Sequence, residues 1–365
     1  MQVPFYNIKA QYDELASEID AVVHEVISTG AYVLGKHNSA FEAEFAALHK
    51  TKHAIAVHSG TDALRIMMDA SGIGRGDEVI TTAFTFVASV ETIVQTGATP
   101  VFVDIDPNTF MMDPAKIEAA ITPKTKAILP IHLFGQLCDV KAITAIAEKH
   151  NLIILEDAAQ AVESTFEGTP AGNFGVSAGF SFYVTKNLGA AGDGGMILTN
   201  DDAVLEACRS IRVHGMGRER YYYDHLGYTA RLDEVQAAVL RVKMKNLSKW
   251  TAQRVAYADI YHQELGSVSA VKLPFVSPGN NHTYHQFTVR ADKREALQAH
   301  LATQGVPSMI YYPVPIHHHS PYKQFTPTWS LDVTEQLSHE VLSLPIQPHL
   351  SEEHIRHVCQ SIKSF

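Results

Sequence analysis

The feature that most limits the fold is an alternation of short apolar runs with amphipathic stretches between residues 53 and 199. HAIAV (from His53), DEVIT (from Asp77), PVFVDI (from Pro100), KAILPIH (from Lys126) and NLIILED (from Asn151) are each bounded by polar or glycine residues. Each is apolar almost throughout, the pattern of strands covered on both faces. Between them lie TDALRIMMDAS, VASVETIVQT, PAKIEAAI and DVKAITAIAEKH, with the spacing of amphipathic helices. Such alternation implies right-handed crossovers and an α/β fold with a mostly parallel central sheet. Two further strands are expected near residues 178–183 and 195–199.

A first helix is expected over residues 9–29, where Leu15, Ile19, Val22, Val23, Val26 and Ile27 form an apolar stripe. A long helical pattern starts near Leu232 and meets no strong breaker before Gly266, with a bend expected at Trp250 and Thr251. Beyond it the texture changes. TYHQFTVRAD reads as a strand, REALQAHLATQG as a helix, and the proline-rich YYPVPIHHHSPY follows. We place a boundary near residue 245, dividing a large α/β domain (1–245) from a smaller α+β domain (246–365). Two domains suit 365 residues at about 150 per domain.

Composition narrows the function. With 46% hydrophobic and 19% charged residues the chain is that of a globular protein, not a disordered one. Its 29 Lys+Arg against 39 Asp+Glu leave a net charge of −10, with no overall pull toward nucleic acid or anionic membranes. Cys138, Cys208 and Cys359 are far apart and fit neither a zinc module nor a disulfide framework. The start, MQVPFYNIKAQYDEL, lacks the pattern of a secretory signal, and no run approaches about 18 apolar residues. A cytoplasmic protein is expected.

Three segments carry chemistry. In SFYVTKNLGAAGDGGMILTND, Lys186 follows a strand in a glycine-rich loop; a desolvated lysine there can lose its proton and attack a carbonyl. In LIILEDAAQAVES, Asp157 ends a buried strand, where open α/β sheets place ligands. A buried carboxylate needs a cationic partner, and a protonated pyridine nitrogen would serve; the alternative is a helix cap. In HSGTDALRIMM, Ser59-Gly60-Thr61 opens a helix whose free N–H groups can hold a phosphate, or serves simply as a capping sequence. GDGG (192–195) lacks the spacing of a nucleotide-binding loop.

Taken together, these segments resemble the sugar aminotransferases of the DegT/DnrJ/EryC1/StrS family, along nearly the whole chain. GDEVITTAFTF, GYTARLDEVQAA, YYPVPIH and LSLPIQPHLSEE add to the match. The resemblance implies a fold type I (aspartate aminotransferase-like) enzyme using pyridoxal 5'-phosphate, with pyridoxamine phosphate as the intermediate form. Lys186 would form the Schiff base and shuttle the proton. Asp157 would pair with the pyridine nitrogen, making the ring an electron sink. Gln160 would bond the ring hydroxyl, Phe86 would stack on the cofactor, and Gly60, Thr61 and Ser181 would hold its phosphate. Two positions depart from the pattern of many relatives: Val184 replaces a proline in SFYPTKN, and Thr229 replaces an asparagine that reaches the neighbouring subunit's phosphate. A threonine can still donate a hydrogen bond there.

Tyr312 and His317 are the substrate-contact candidates. Metal is not expected at His317, His318 and His319, because consecutive side chains in an extended segment alternate faces. The implied reaction moves an amino group, typically from glutamate, to a nucleotide-linked keto-deoxysugar by a ping-pong route. YHQFTVR and YYPVPIH lean toward carbon 3 of a 3-keto-6-deoxyhexose, such as a dTDP-linked one. The alternatives are carbon 4 of a nucleotide sugar, a keto-cyclitol, or a non-catalytic regulatory protein on the same fold. A homodimer is expected, because VHGMGRERYYYDHLGYTARLDE is rich in Tyr and Arg, which favour interfaces.

Overall fold

A computed structural model describes residues 1–365. The strands are β1 (His53–Val57), β2 (Glu78–Thr82), β3 (Thr99–Val103), β4 (Thr125–Ile128), β5 (Ile153–Asp157), β6 (Thr165–Phe166), β7 (Thr169–Pro170), β8 (Ser177–Ser181), β9 (Gly195–Thr199), β10 (Asn280–Asn281), β11 (Phe287–Arg290) and β12 (Val341–Leu344). The helices are α1 (Ile8–Thr29), α2 (Lys36–His49), α3 (Gly60–Ala70), α4 (Ala88–Gln95), α5 (Ile117–Ala120), α6 (Val140–His150), α7 (Asp202–Ile211), α8 (Glu234–Met244), α9 (Leu247–Leu265), α10 (Arg294–Thr303), α11 (Asp332–Glu340) and α12 (Glu352–Lys363).

Seven strands form the central sheet in the order β1-β9-β8-β5-β4-β2-β3. β9 runs antiparallel to both neighbours, and every other pairing is parallel. The mostly parallel sheet is therefore as expected. Its near-continuous apolar strands are explained by burial on both faces. Phe41, Phe45, Phe180, Phe182 and Leu198 pack in one cluster, and Ile55, Leu64, Met67, Ile197 and Leu205 pack in another. Asn7 caps α1, whose stripe sets Leu15 and Ile19 against Val239, Val242 and Trp250.

The long C-terminal helical pattern is two helices. The break falls at Lys245–Asn246, several residues before the bend expected at Trp250–Thr251. The reason is tertiary. Trp250 lies inside α9, anchored by its place in the α1–α8 cluster and by its indole N–H to Glu14 (3.2 Å). After α9, an apolar cluster joins Tyr257, Tyr261 and Leu265 to Phe287, Leu344, Ile355 and Val358, and Val3 from the N-terminal segment packs into it. Buried Arg254 fastens this cluster to the chain crossing it, donating to the carbonyls of Tyr284 (3.1 Å) and Ile346 (2.6 Å). No helix is long and apolar enough to cross a membrane.

Candidate active site

The carboxyl ends of β1, β5 and β8 meet at a cavity of about 490 Å³, where an open α/β sheet places its ligand. Ser59 caps α3, its hydroxyl accepting from the Asp62 N–H (3.0 Å). The remaining first-turn N–H groups of a helix have no internal partner and are available to an anion. Gly60 sits so close to β8 that a Cβ there would lie 2.6 Å from the Ser181 Cβ. Only glycine lets the helix start approach the strand, and the approach sets Gly60, Thr61 and Ser181 side by side on the cavity wall.

Asp157 closes β5, is 4% exposed, and lies in the same cavity. Burial raises its carboxyl above the usual carboxylate range. Opposing that rise are a Ser89 hydroxyl (2.6 Å to Oδ2), the Ala159 N–H (3.1 Å to Oδ1) and the charge of Lys186. Lys186 hangs from the turn after β8, where its own N–H donates to the Tyr183 carbonyl (2.8 Å). Burial lowers its ammonium from the ordinary 10.5 to about 8, with Asp157 pulling the other way. An ammonium lowered in this way loses its proton more readily than a free lysine, which makes Nζ a better nucleophile. The two groups thus divide the work, an amine that can lose its proton and a carboxylate able to hold a positive charge.

Gln160 is oriented by its surroundings. The Phe134 N–H donates to Oε1 (2.7 Å), so the amide turns its Nε2 toward the Tyr312 hydroxyl (3.3 Å) and leaves a donor facing the cavity. Phe86 and Tyr312 both line the cavity with ring centroids 6.4 Å apart. Phe86 is 57% exposed, so core packing does not account for it. Sequence reasoning missed several lining groups. Tyr6 bonds the Tyr311 hydroxyl (3.0 Å) and accepts from Gln286 (3.1 Å), tying the N-terminal segment across the cavity. His285 stays neutral because burial lowers it well below 6.5, and its Nδ1 lies 3.3 Å from Asn187 Oδ1. No local pattern announced these contacts, nor that of Ser89 with Asp157.

Two candidates lie elsewhere. Thr229 is exposed and pairs with His214 Nε2 (2.9 Å), outside this cavity of its own chain. His317 is buried away from the cavity, with Nε2 2.8 Å from Glu335 Oε1 and its ring near Phe102. The structure does not bring it to the site. The expectation of an extended histidine run also needs correction. Ile316–His318 is a 3-10 turn, and the Nε2 atoms of His317 and His318 converge on the same Glu335 oxygen (2.8 and 2.6 Å). His317 Nδ1 is buried without a partner, so a metal on Nε2 would strand a buried N–H.

A lysine and a buried carboxylate thus share one cavity with the start of α3, an arrangement that suits a pyridoxal-phosphate-dependent aminotransferase of fold type I. Residues 13–363 match the DegT/DnrJ/EryC1/StrS aminotransferase family, and the chain belongs to that family. Among its relatives, a pleiotropic regulatory protein of Geobacillus stearothermophilus is 47% identical over 100% of this chain and 99% of its own length. A dTDP-3-amino-3,4,6-trideoxy-alpha-D-glucose transaminase of Streptomyces venezuelae is 41% identical, covering 100% and 96%. The crystal structure of S. venezuelae DesV superposes with a TM-score of 0.97 at 41% identity, covering 100% of this chain and 98% of that one.

Proposed function

We propose that this protein transfers an amino group from glutamate to carbon 3 of a nucleotide-linked keto-deoxysugar, a dTDP-linked 3-keto-6-deoxyhexose being the leading candidate. The observation that carries the chemistry is Lys186 facing buried Asp157 across one cavity. The position of amination rests on the transaminase relative, whose product carries its amine at carbon 3.

The residues fit the cofactor. Bound pyridoxal phosphate supplies an aldehyde that condenses with amines and a ring that accepts electrons. Gly60, Thr61 and Ser181 would hold its phosphate, Asp157 would pair with the ring nitrogen, and Gln160 would donate from Nε2 to the ring oxygen, with Phe86 over one face. Lys186 would condense through Nζ with the aldehyde, releasing water, and once displaced by the donor's amine would carry a proton from the donor's carbon to the cofactor in the first half-reaction and from the cofactor to the sugar carbon in the second. Tyr312, held by Gln160, is the hydroxyl best placed to meet the sugar.

Lys186 is the single lysine or arginine lining the cavity of one chain. Glutamate and a nucleotide diphosphate both carry anionic groups, so further cations must come from outside that lining. We assign them to a second copy of the chain. The loop around Arg218 and Arg220, with Tyr221, Tyr222 and Tyr223 at 70%, 67% and 58% exposure, supplies an interface of the right chemistry. In that homodimer Thr229 reaches the neighbour's phosphate site.

A non-catalytic regulatory role, which the name of the Geobacillus relative suggests, gives no use for a depressed lysine beside a buried carboxylate. The deciding experiment incubates the purified protein with glutamate and a panel of dTDP- and UDP-linked keto-sugars, reading 2-oxoglutarate release and product structure. Amination at carbon 3 is expected. Turnover confined to 4-keto-sugars or cyclitols would assign a different substrate, and no turnover on any panel member would favour regulation. Borohydride reduction should fix the cofactor on Lys186; an adduct on another lysine overturns the site.

A further inference from the structure

The Asp157 carboxylate is not left to its burial. Ser89 sits in the first turn of α4, three positions after Phe86, and both face the cavity. Its hydroxyl donates to Asp157 Oδ2 at 2.6 Å, and its oxygen lies 2.9 Å from Thr85 Oγ1. Ser89 has one proton, and that proton goes to the carboxylate, so Thr85 must be the donor in the outer bond. The relay therefore runs in one direction, Thr85 to Ser89 to Asp157. Thr85 and Ser89 are each 1% exposed, so the relay is shielded from bulk solvent. The Ala159 N–H holds the other carboxylate oxygen, and each oxygen keeps lone-pair capacity for one more donor.

We propose that the Thr85–Ser89 hydroxyl relay is the positioning device that keeps the Asp157 carboxylate ionised and turned toward the ring nitrogen of the cofactor. Ser89 is a positioning residue, acting only through Asp157. The proposal rests on the pyridoxal phosphate reading of the cavity. The charged and titratable groups facing Asp157 are Lys186, His132 and the Tyr312 hydroxyl. Lys186 and His132 favour the ionised carboxylate, as Ser89 does, so the relay is one of several supports. Its removal should therefore shift the titration of Asp157 upward rather than abolish its charge.

The test uses pyridoxamine 5'-phosphate binding to the apoenzyme, followed by fluorescence across a pH series. This probe carries no aldehyde, so the Lys186 condensation does not enter the readout. In the native protein, affinity should fall on the acid side as Asp157 is protonated. Ser89→Ala should weaken binding about tenfold near neutral pH, the scale of a lost hydrogen bond to a charged group. It should also move the acid limb to higher pH. Ser89→Thr should restore both, and Thr85→Val should move the limb the same way by less. Uniform weakening at every pH, with the limb unmoved, would mean a merely structural serine and overturns the proposal. So does a Ser89→Thr variant that folds but behaves like Ser89→Ala. If the native protein fails to bind the probe, the cofactor reading falls, whatever the variants do.

Discussion

On the proposed reading of the site, a single carboxylate decides most of its chemistry. In Asp157→Asn a neutral amide replaces the group that would hold a protonated ring nitrogen, and its single oxygen can accept from Ser89 or from the Ala159 N–H but not from both. We expect a folded protein whose turnover drops by roughly 10²-fold or more, checked by steady-state assay beside circular dichroism. Its neighbour in sequence, Glu156, points to the opposite face of β5 and does a different job. Fully buried, it accepts from the backbone N–H groups of Gly172 (2.9 Å), Phe174 (2.8 Å) and Gly175 (3.0 Å), and from His132 Nε2 (3.0 Å). Glu156→Ala would strand all of these donors. The cost should be about 3 kcal/mol or more, read from urea midpoints. On the proposed reading, adjacent acidic residues serve catalysis and folding, a division made by the alternation of side chains along a strand.

At the scale of elements, the site depends on how closely α3 meets β8. Gly60→Ala puts a methyl group into the Ser181 side chain, so either the helix start or the strand end must move. The expected result is loss of cofactor affinity together with a lower melting temperature, and unchanged affinity would show that the cradle tolerates the shift. The joint between α1 and α9 adds an electrostatic link to the apolar packing of Leu15 and Ile19 against Trp250. Glu14 meets Lys249 Nζ (2.6 Å), His349 Nε2 (2.9 Å) and the Trp250 indole (3.2 Å). The Lys249 hydrogen bond leads the fall of its carboxyl from 4.5 to about 2, against a burial effect in the other direction. A carboxylate held below its unfolded value stabilises fully above that value and loses its effect as pH falls through the folded one. Acid titration of stability between 4.5 and 2 should therefore be shallower in Glu14→Gln than in the native protein. Equal slopes would show that the ion pair is screened.

For the whole molecule, the arginine-free lining of one chain's cavity predicts composite active sites. Mixing Lys186→Ala subunits with subunits carrying Arg218→Ala and Arg220→Ala should restore part of the activity, because one site of each mixed dimer is then intact. A fully active monomer by sedimentation would exclude this arrangement. Much of the molecule was legible before folding was considered. Strands covered on both faces are apolar throughout, so β1 to β5 stood out, and with them the strand end carrying Asp157 and the loop carrying Lys186. Glycine 60 was legible for the same reason, since the junction of a strand and a helix start is a local pattern. The Ser89–Asp157 bond spans 68 positions and the Tyr6–Tyr311 bond 305, and no local periodicity encodes such closures. The turn at Ile316–His318 likewise follows from packing against Phe102 and Glu335, which carried His317 away from the cavity that its position in the chain suggested. The order of elements and the reactive residues were set by the amino-acid sequence alone, because periodicity and residue type act over a few positions. Which hydroxyl orients the carboxylate, which tyrosines span the cavity and where the long helix breaks were decided by the tertiary structure, because each depends on side chains that meet only once the sheet is assembled.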